Sequence, residues 1–405
     1  YGGTSVGDPV RIRNVAGRVA TTRRDGNDVI VVVSAMGKYT DDLIRLATEV
    51  SNDPPAREMD MLLTAGERIS MALLAMALSD LGIGAVSLTG SQAGILTDDT
   101  HGEARITEIR GTRVKDGLAK QKIVIVAGFQ GVDPESKEIT TLGRGGSDAT
   151  AVALAAAHGA SVCEIYTDVD GVFTADPRIV AGARKLEEVS FDEMLELAAS
   201  GSGVLMGRSV EFGRRFNIPI HVRSSFREGE GTWVKEKTME QAIISGVAHD
   251  SSEAKVTVQA VPDQPGVAAA LFEPLAEAGV NVDMIVQNVS SDGSTDISFT
   301  VPRSHTANAR EIAMRVADEL GAGGVDVDEA IGKVSLVGAG MKSHPGVAAR
   351  VFRALADAAI NVEMISTSTI RVSCVVRGDK VEDAVRALHD EFEPPMITQE
   401  IGADG

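Results

Sequence analysis

The sequence predicts an α/β protein in which a large domain with a mostly parallel sheet precedes two copies of a smaller α/β unit. Three observations predict it. Short β-branched apolar runs recur through the first half, separated by segments of helical period. Near the C-terminus, Lys255-Val-Thr-Val, Pro265-Gly-Val and Asn281-Val-Asp-Met-Ile return as Lys333-Val-Ser-Leu, Pro345-Gly-Val and Asn361-Val-Glu-Met-Ile. A length of 405 residues exceeds one ordinary core, so two or three domains are expected.

In the first half, Asp28-Val-Ile-Val-Val-Val-Ser34, Lys122-Ile-Val-Ile-Val-Ala-Gly128, Val162-Cys-Glu-Ile-Tyr-Thr-Asp168 and Ile218-Pro-Ile-His-Val-Arg223 read as strands. One helix is expected from Thr64, carrying Ile69, Leu73, Leu74 and Leu78. A second runs from Ser147 to His158. In such sheets ligands bind beyond the carboxyl ends of the strands, where most of the suggestive motifs fall. In the repeats, Val267, Leu271 and Leu275 share one helical face, as do Val347, Val351 and Leu355. Each copy therefore reads strand, loop, helix, strand. A duplicated unit behind a catalytic-looking domain suggests a sensor behind an enzyme.

A formal charge of −19 argues against nucleic acid or anionic membrane as a partner. No stretch is expected to span a membrane, and no signal peptide is visible. Cys163 and Cys374 form no CxxC pair and read as buried residues of a reducing cytosol. The seven histidines show no metal-ligand spacing.

Gly143-Arg-Gly-Gly-Ser-Asp148 is the strongest local motif. Glycines let backbone approach an anion, Ser147 or Asp148 can cap the following helix, and Arg144 adds a donor for carboxylate or phosphate. A capped tight turn would account for the glycines but not for the arginine. Tyr1-Gly-Gly-Thr-Ser5 is a second glycine loop without the Walker A spacing. Thr167-Asp-Val-Asp-Gly-Val-Phe-Thr-Ala-Asp-Pro-Arg178 follows a strand and could hold a nucleotide, or be an ordinary connection. Thr64-x-x-Glu67 has capping-box spacing, which alone would explain both residues.

Taken in order, Tyr1-Gly-Gly-Thr-Ser-Val6, Val33-Ser-Ala-Met-Gly37, Leu63-Thr-Ala-Gly-Glu-Arg68, Thr141-Leu-Gly-Arg-Gly-Gly-Ser-Asp148 and Tyr166-Thr-Asp-Val-Asp-Gly171 resemble the aspartate kinase family, and the repeats resemble tandem ACT domains. The resemblance spans essentially the whole chain and is nearest to the lysine- and threonine-inhibited bacterial enzymes. It implies a three-layer αβα amino-acid kinase domain over 1–237 and two ACT (βαββαβ) domains over 238–330 and 331–405. It implies transfer of the γ-phosphoryl group of ATP, with Mg2+, to the side-chain carboxylate of L-aspartate in the cytoplasm, as the first step toward lysine, threonine and methionine.

By the same resemblance, Glu67 would bind the substrate ammonium and Arg144 a substrate carboxylate. Ser147 and Asp148 would join Arg144 in catalysis, with Ser34, Thr40, Gly145 and Gly146 around the substrate. Tyr1, Gly2 and Gly3 would line the phosphate path. Thr167, Asp168, Phe173, Asp176, Arg178 and Gly203 would face ATP. Lysine or threonine would bind between two chains. Asp263, Ala268, Asn281, Val282, Asp283, Gln287 and Asp296 would contribute from one side, and Asn361, Val362, Ser368 and Thr369 from the other. A homo-oligomer through the ACT domains is implied, or a hetero-oligomer with a shorter chain starting near Met239.

The chain departs from the family at several positions. The family has a catalytic Lys just before Tyr-Gly-Gly, so upstream residues, including a first strand, are expected to precede Tyr1. Gly203 stands where a nucleotide-contacting Lys is usual, and Thr369 where Glu is common. Gly207 and Gly213 replace bulkier helix residues, and Tyr39 stands where Thr is common. Two alternatives stay open on the sequence: a related amino-acid kinase acting on another carboxylate, and a non-catalytic amino-acid sensor.

Overall fold

The structure is a computed structural model that describes residues 1–236, 244–288, 293–344 and 346–392. The chain divides into two compact units. The first comprises 1–172, 185–198 and 203–238, and the second 173–184, 199–202 and 239–405.

The first unit opens with α1 (Pro9–Arg24), β1 (Ile30–Val33), α2 (Tyr39–Val50), α3 (Ala56–Leu63), α4 (Ala65–Asp80), β2 (Ala85–Leu88) and α5 (Gly90–Ala93). It continues with β3 (Ile95–Thr97), β4 (Ile106–Ile109), α6 (Thr112–Ala119), β5 (Ile123–Ala127), β6 (Gln130–Val132), β7 (Ile139–Thr141) and α7 (Gly146–His158). The last elements are β8 (Cys163–Thr167), β9 (Glu188–Val189), α8 (Phe191–Ala199), α9 (Gly207–Phe216), β10 (Ile220–Ser224) and β11 (Thr232–Val234).

The apolar runs form the expected parallel pairs. β5 lies between β1 and β2, and β8 pairs with β10. Residues 1 and 2 link these two sheets. The Tyr1 nitrogen donates to Val32 O and its carbonyl accepts from Ser34 N, while Gly2 N donates to Tyr166 O. The chain start thus bridges β1 and β8. Both faces of β5 are buried. Ile123 and Ile125 pack with α1 and α4, and Val124 and Val126 with Leu88, Val114 and Leu154.

Two details of the packing bear on the sequence reading. The helical stretch Ala56–Asp80 is long and apolar enough, by length and composition, to cross a membrane. Its Met71, Leu74 and Leu78 are buried against Val31, Val33 and Ile125, so its apolar stripe is the inner face of a core helix. Ile69 lies off that stripe and is 39% exposed. Gly213 of α9 is closely packed: a Cβ there would sit 2.9 Å from Ile220 Cδ1 and 3.0 Å from Phe191 Cε1.

The second unit holds β12 (Gly246–Asp250), β13 (Glu253–Pro262), α10 (Val267–Glu277), β14 (Ile285–Gln287), β15 (Ser294–Pro302), α11 (Thr306–Leu320) and β16 (Gly324–Asp328). β17 (Ile331–Val337), α12 (Val347–Asp357), β18 (Met364–Thr367), β19 (Arg371–Arg377) and α13 (Val381–Phe392) follow. The first repeat is a complete βαββαβ unit with strand order β14-β15-β13-β16. The second has order β12-β17-β19-β18, so its outer strand comes from before the first repeat. A division at 330/331 therefore does not follow the sheets.

Residues 173–184 also join the second repeat rather than the kinase-like domain. Ala175 and Val180 enter its core, Val247 N donates to Thr174 O, and Thr174 Oγ1 lies 3.0 Å from His389 Nε2. The predicted helical stripes are both buried, Val267, Leu271 and Leu275 in one core and Val347, Val351 and Leu355 in the other. Cross-strand hydroxyl pairs repeat as well, Thr257 with Ser298 at 2.9 Å and Ser335 with Ser373 at 2.8 Å. Cys163 and Cys374 are buried free thiols. Met239 lies outside the described residues.

Candidate active site

The Gly143–Asp148 loop joins β7 to α7. Gly143 and Gly145 have φ of 73° and 71°, a region where side chains are strained, and a Cβ on Gly145 would lie 1.9 Å from Met206 Cγ. Gly145 is the cap of α7 and no side chain caps it. Ser147 and Asp148, expected as caps, instead lie within the first turn, because left-handed Gly145 takes the capping position. The first amides of a helix lack intrahelical acceptors and face incoming negative charge.

Arg144 is exposed and makes no hydrogen bond among the described residues. Behind the loop, Arg208 Nη1 donates to Leu142 O at 3.0 Å and its Nη2 to Ala104 O at 2.9 Å. Ser147 packs against the end of β5, where a Cβ on Gly128 would come within 2.6 Å of Ser147 Oγ. Burial pushes the Asp148 carboxyl pKa up, and the carboxyl lies near the Tyr1 nitrogen. The start of the chain and the start of α7 are therefore neighbours.

Glu67 comes from α4. Gly66 lets that helix press against the turn after β1, since a Cβ there would lie 2.6 Å from Ala35 Cβ. Ala35 N donates to Glu67 Oε1 at 3.1 Å, and Glu67 Oε2 is buried without a hydrogen-bond partner. Burial pushes the Glu67 pKa up to about 7. The capping-box reading is overturned. Thr64 is helical, its hydroxyl donates to Met61 O, and it caps nothing. A capping box does form at Thr89 and Gln92, which the sequence reading passed over.

The strand ends collect the remaining motifs. Ser34 is tied to Tyr1 O, and a Cβ on Gly3 would lie 2.9 Å from Ala35 O. Tyr1 stacks on Tyr166 at 4.6 Å, one residue before Thr167. Thr167 Oγ1 donates to Asp168 Oδ1 at 3.3 Å. Thr40 is half-buried in the first turn of α2. Gly203 has φ of 66°. Phe173, Asp176 and Arg178 belong to the second unit, where Arg178 Nη2 donates to Asp176 Oδ2 at 2.6 Å.

The first unit thus gathers Ser34, Glu67 and the Gly143–Asp148 loop at the carboxyl ends of β1 and β5. An unpaired buried carboxylate can take a cation, and a helix start with a free guanidinium can take an anion. Together these suit the two ends of an amino acid.

In the second unit, Asn281, Asp283 and Gln287 are exposed around the start of β14, and Val282 packs on the first core. Asp263 N donates to Gly293 O, Asp296 Oδ1 accepts from Ala260 N at 2.8 Å, and Ala268 sits in the first turn of α10. Asn361, Val362, Ser368 and Thr369 flank β18. Asp283 differs from expectation, because its carboxylate is ion-paired with Lys333. The sequence shows Lys255 and Lys333 as repeat equivalents but gives no sign of this ion pair.

Known proteins match this chain along most of its length. The amino acid kinase family matches residues 1–224, and the ACT domain matches 256–315 and 334–392. An aspartokinase of Mycolicibacterium smegmatis is 58% identical over 97% of this chain and 94% of its own length. E. coli aspartokinase III in complex with aspartate and ADP superposes with a TM-score of 0.82 at 27% identity, covering 96% of this chain and 98% of that one. The same enzyme with lysine and aspartate gives a TM-score of 0.73 at 26% identity, covering 97% and 98%. With its amino acid kinase domain, its tandem ACT repeats and this near full-length identity, the chain belongs to the aspartokinases.

Proposed function

We propose that the Glu67 carboxylate and the Gly143–Asp148 loop hold L-aspartate while its side-chain carboxylate accepts the γ-phosphoryl group of ATP. The observation that carries this is the buried, unpartnered Glu67 Oε2 in the same strand-end site as an unpaired Arg144. Glu67 takes the ammonium and Arg144 a carboxylate, which fixes the attacking oxygen. Phosphoryl transfer needs positioning and charge neutralisation more than covalent help. The first-turn amides of α7, with Ser147, Gly145 and Gly146, face the transferring group, and Asp148 lies beside the glycine path of Tyr1, Gly2 and Gly3. Thr167, Asp168 and Gly203 are assigned to ATP. ATP arrives as its Mg2+ complex, the cation neutralising phosphate charge.

For the second unit, the reading is regulation by lysine or threonine at the β14 and β18 loops, shared between two chains in the cytoplasm. A lysine complex of the E. coli relative supports lysine. An effector inhibits only by binding the inactive arrangement better than the active one. The domain division we favour is an amino-acid kinase domain to about residue 237 and two ACT domains beyond it, the second borrowing β12.

The test is hydroxylamine trapping of acyl phosphate by the full-length enzyme with Mg-ATP. Aspartate should give the hydroxamate. Turnover of N-acetylglutamate with none of aspartate would overturn the assignment.

A further inference from the structure

Asp60 is a carboxylate the mechanism does not use. It lies on α3 and is 1% exposed. Around it are three donor groups. Thr141 Oγ1 donates to Oδ1 at 2.5 Å, and His101 Nδ1 lies 2.6 Å from Oδ2. Gly102 N donates to both oxygens, at 3.1 and 3.2 Å. A buried carboxylate this fully satisfied holds whatever its donors belong to.

Its donors belong to the frame of the substrate loop. Thr141 ends β7, two residues before Gly143. Ala104 N donates to Thr141 O at 2.9 Å, and a Cβ on Gly143 would lie 3.1 Å from Gly102 O. Asp60 itself leads toward the other end of the site. Thr64 N donates to Asp60 O, Gln130 Nε2 donates to Thr64 O at 3.3 Å, and α4 then carries Glu67. One side chain therefore ties the helix leading to Glu67 to the strand end leading to Arg144.

We propose that Asp60 is a positioning residue for phosphoryl transfer, setting the separation between the groups that bind the ammonium and the carboxylate of aspartate. The inference rests on the assignment of Glu67 and Arg144 made above. A substrate bound at both ends is sensitive to that separation, and a shift of about 1 Å can cost on the order of 100-fold in rate. Apart from its transferring group, ATP is assigned to residues outside this frame, Thr167, Asp168 and Gly203 among them.

The experiment is steady-state kinetics on full-length protein carrying Thr141→Val, Thr141→Ser, Asp60→Asn or Arg144→Ala. Thr141→Val and Asp60→Asn should raise the KM for aspartate by about tenfold, the worth of a charge-assisted hydrogen bond, with the KM for ATP within about twofold. Thr141→Ser keeps the hydroxyl and should restore the normal KM. If Asp60→Asn does not fold, the Thr141 pair decides. An aspartate KM within about twofold of normal in Thr141→Val, beside a raised one in Arg144→Ala, overturns the role of Asp60 alone. Equal rises for aspartate and ATP reduce Asp60 to general stability and also overturn it. A normal Arg144→Ala removes the site assignment, and the Asp60 role with it.

Discussion

Lys333 and Asp283 form an ion pair that joins the two repeats, with the Lys333 side chain 1% exposed. Glu253 supplies a second carboxylate at 2.6 Å. Burial pulls the Lys333 pKa down, but Glu253 and Asp283 outweigh it and hold it above its ordinary value. The reciprocal pair exists too. Lys255, the repeat equivalent of Lys333, pairs with Glu363, the equivalent of Asp283. Met284 and Met364, which follow the two acidic residues, pack with Ile331 and Val375 in a shared apolar cluster. The repeats thus exchange charges across a pseudo-symmetric seam.

Removing Lys333 leaves the buried Glu253 carboxylate, and the more exposed Asp283, without their cation. Lys333→Met should cost about 3–5 kcal/mol, the penalty of breaking a buried pair from one side. Lys255→Met should cost less, because Lys255 and Glu363 keep 18% and 15% exposure. Urea unfolding followed by circular dichroism checks this. Equal, small losses would show that the seam contributes little.

Glu67 makes the protein's stability depend on pH. Its pKa rises from 4.5 to about 7 on folding. The folded site disfavours the ionised form, so the cost is absent below about pH 4.5 and complete above about pH 7, reaching about 3 kcal/mol. Glu67→Gln should therefore stabilise more at about pH 8 than at about pH 5. Only ionised Glu67 attracts an ammonium, so the KM for aspartate should fall from about pH 6 to about pH 8, and Glu67→Gln should lose that dependence. Melting curves and initial rates test both. An equal melting shift at the two pH values would contradict the first.

Gly203→Lys supplies the cation usual in this family, but at a φ of 66°. A side chain in that region costs about 1–2 kcal/mol. The variant should melt lower and bind ATP more tightly by calorimetry. Weaker ATP binding in a folded variant would remove Gly203 from the nucleotide site.

Gln287→Ala alters the exposed end of β14, and Ser368→Phe the exposed loop after β18. Both should relieve inhibition of aspartate kinase activity by lysine plus threonine. Inhibition unchanged in both would place the effector elsewhere.

Much of this was legible in the sequence. The apolar runs of β1 and β5 pair in parallel as read, because these strands carry no polar residue to disguise them, and β8 and β10 do so despite Glu164, His221 and Arg223. The repeat stripes were legible because helical period survives duplication. Roles that depend on distant partners were not. Asp60 meets His101 and Thr141 only through the fold, and nothing local marks it. Thr64 and Glu67 fit a local capping motif, yet the turn after β1 claims the carboxylate. The borrowed strand β12 escaped notice because pairing across an inserted repeat leaves no trace in period or spacing.

The central claim is that Glu67 and Arg144 grip the two ends of aspartate. The most direct measurement is kcat/KM for aspartate, at saturating Mg-ATP, in Glu67→Ala, Arg144→Ala and the double variant of the full-length enzyme. The account predicts a loss of at least about tenfold in each single variant, with folding retained and the KM for ATP little changed. Near-normal kcat/KM in both single variants would contradict it.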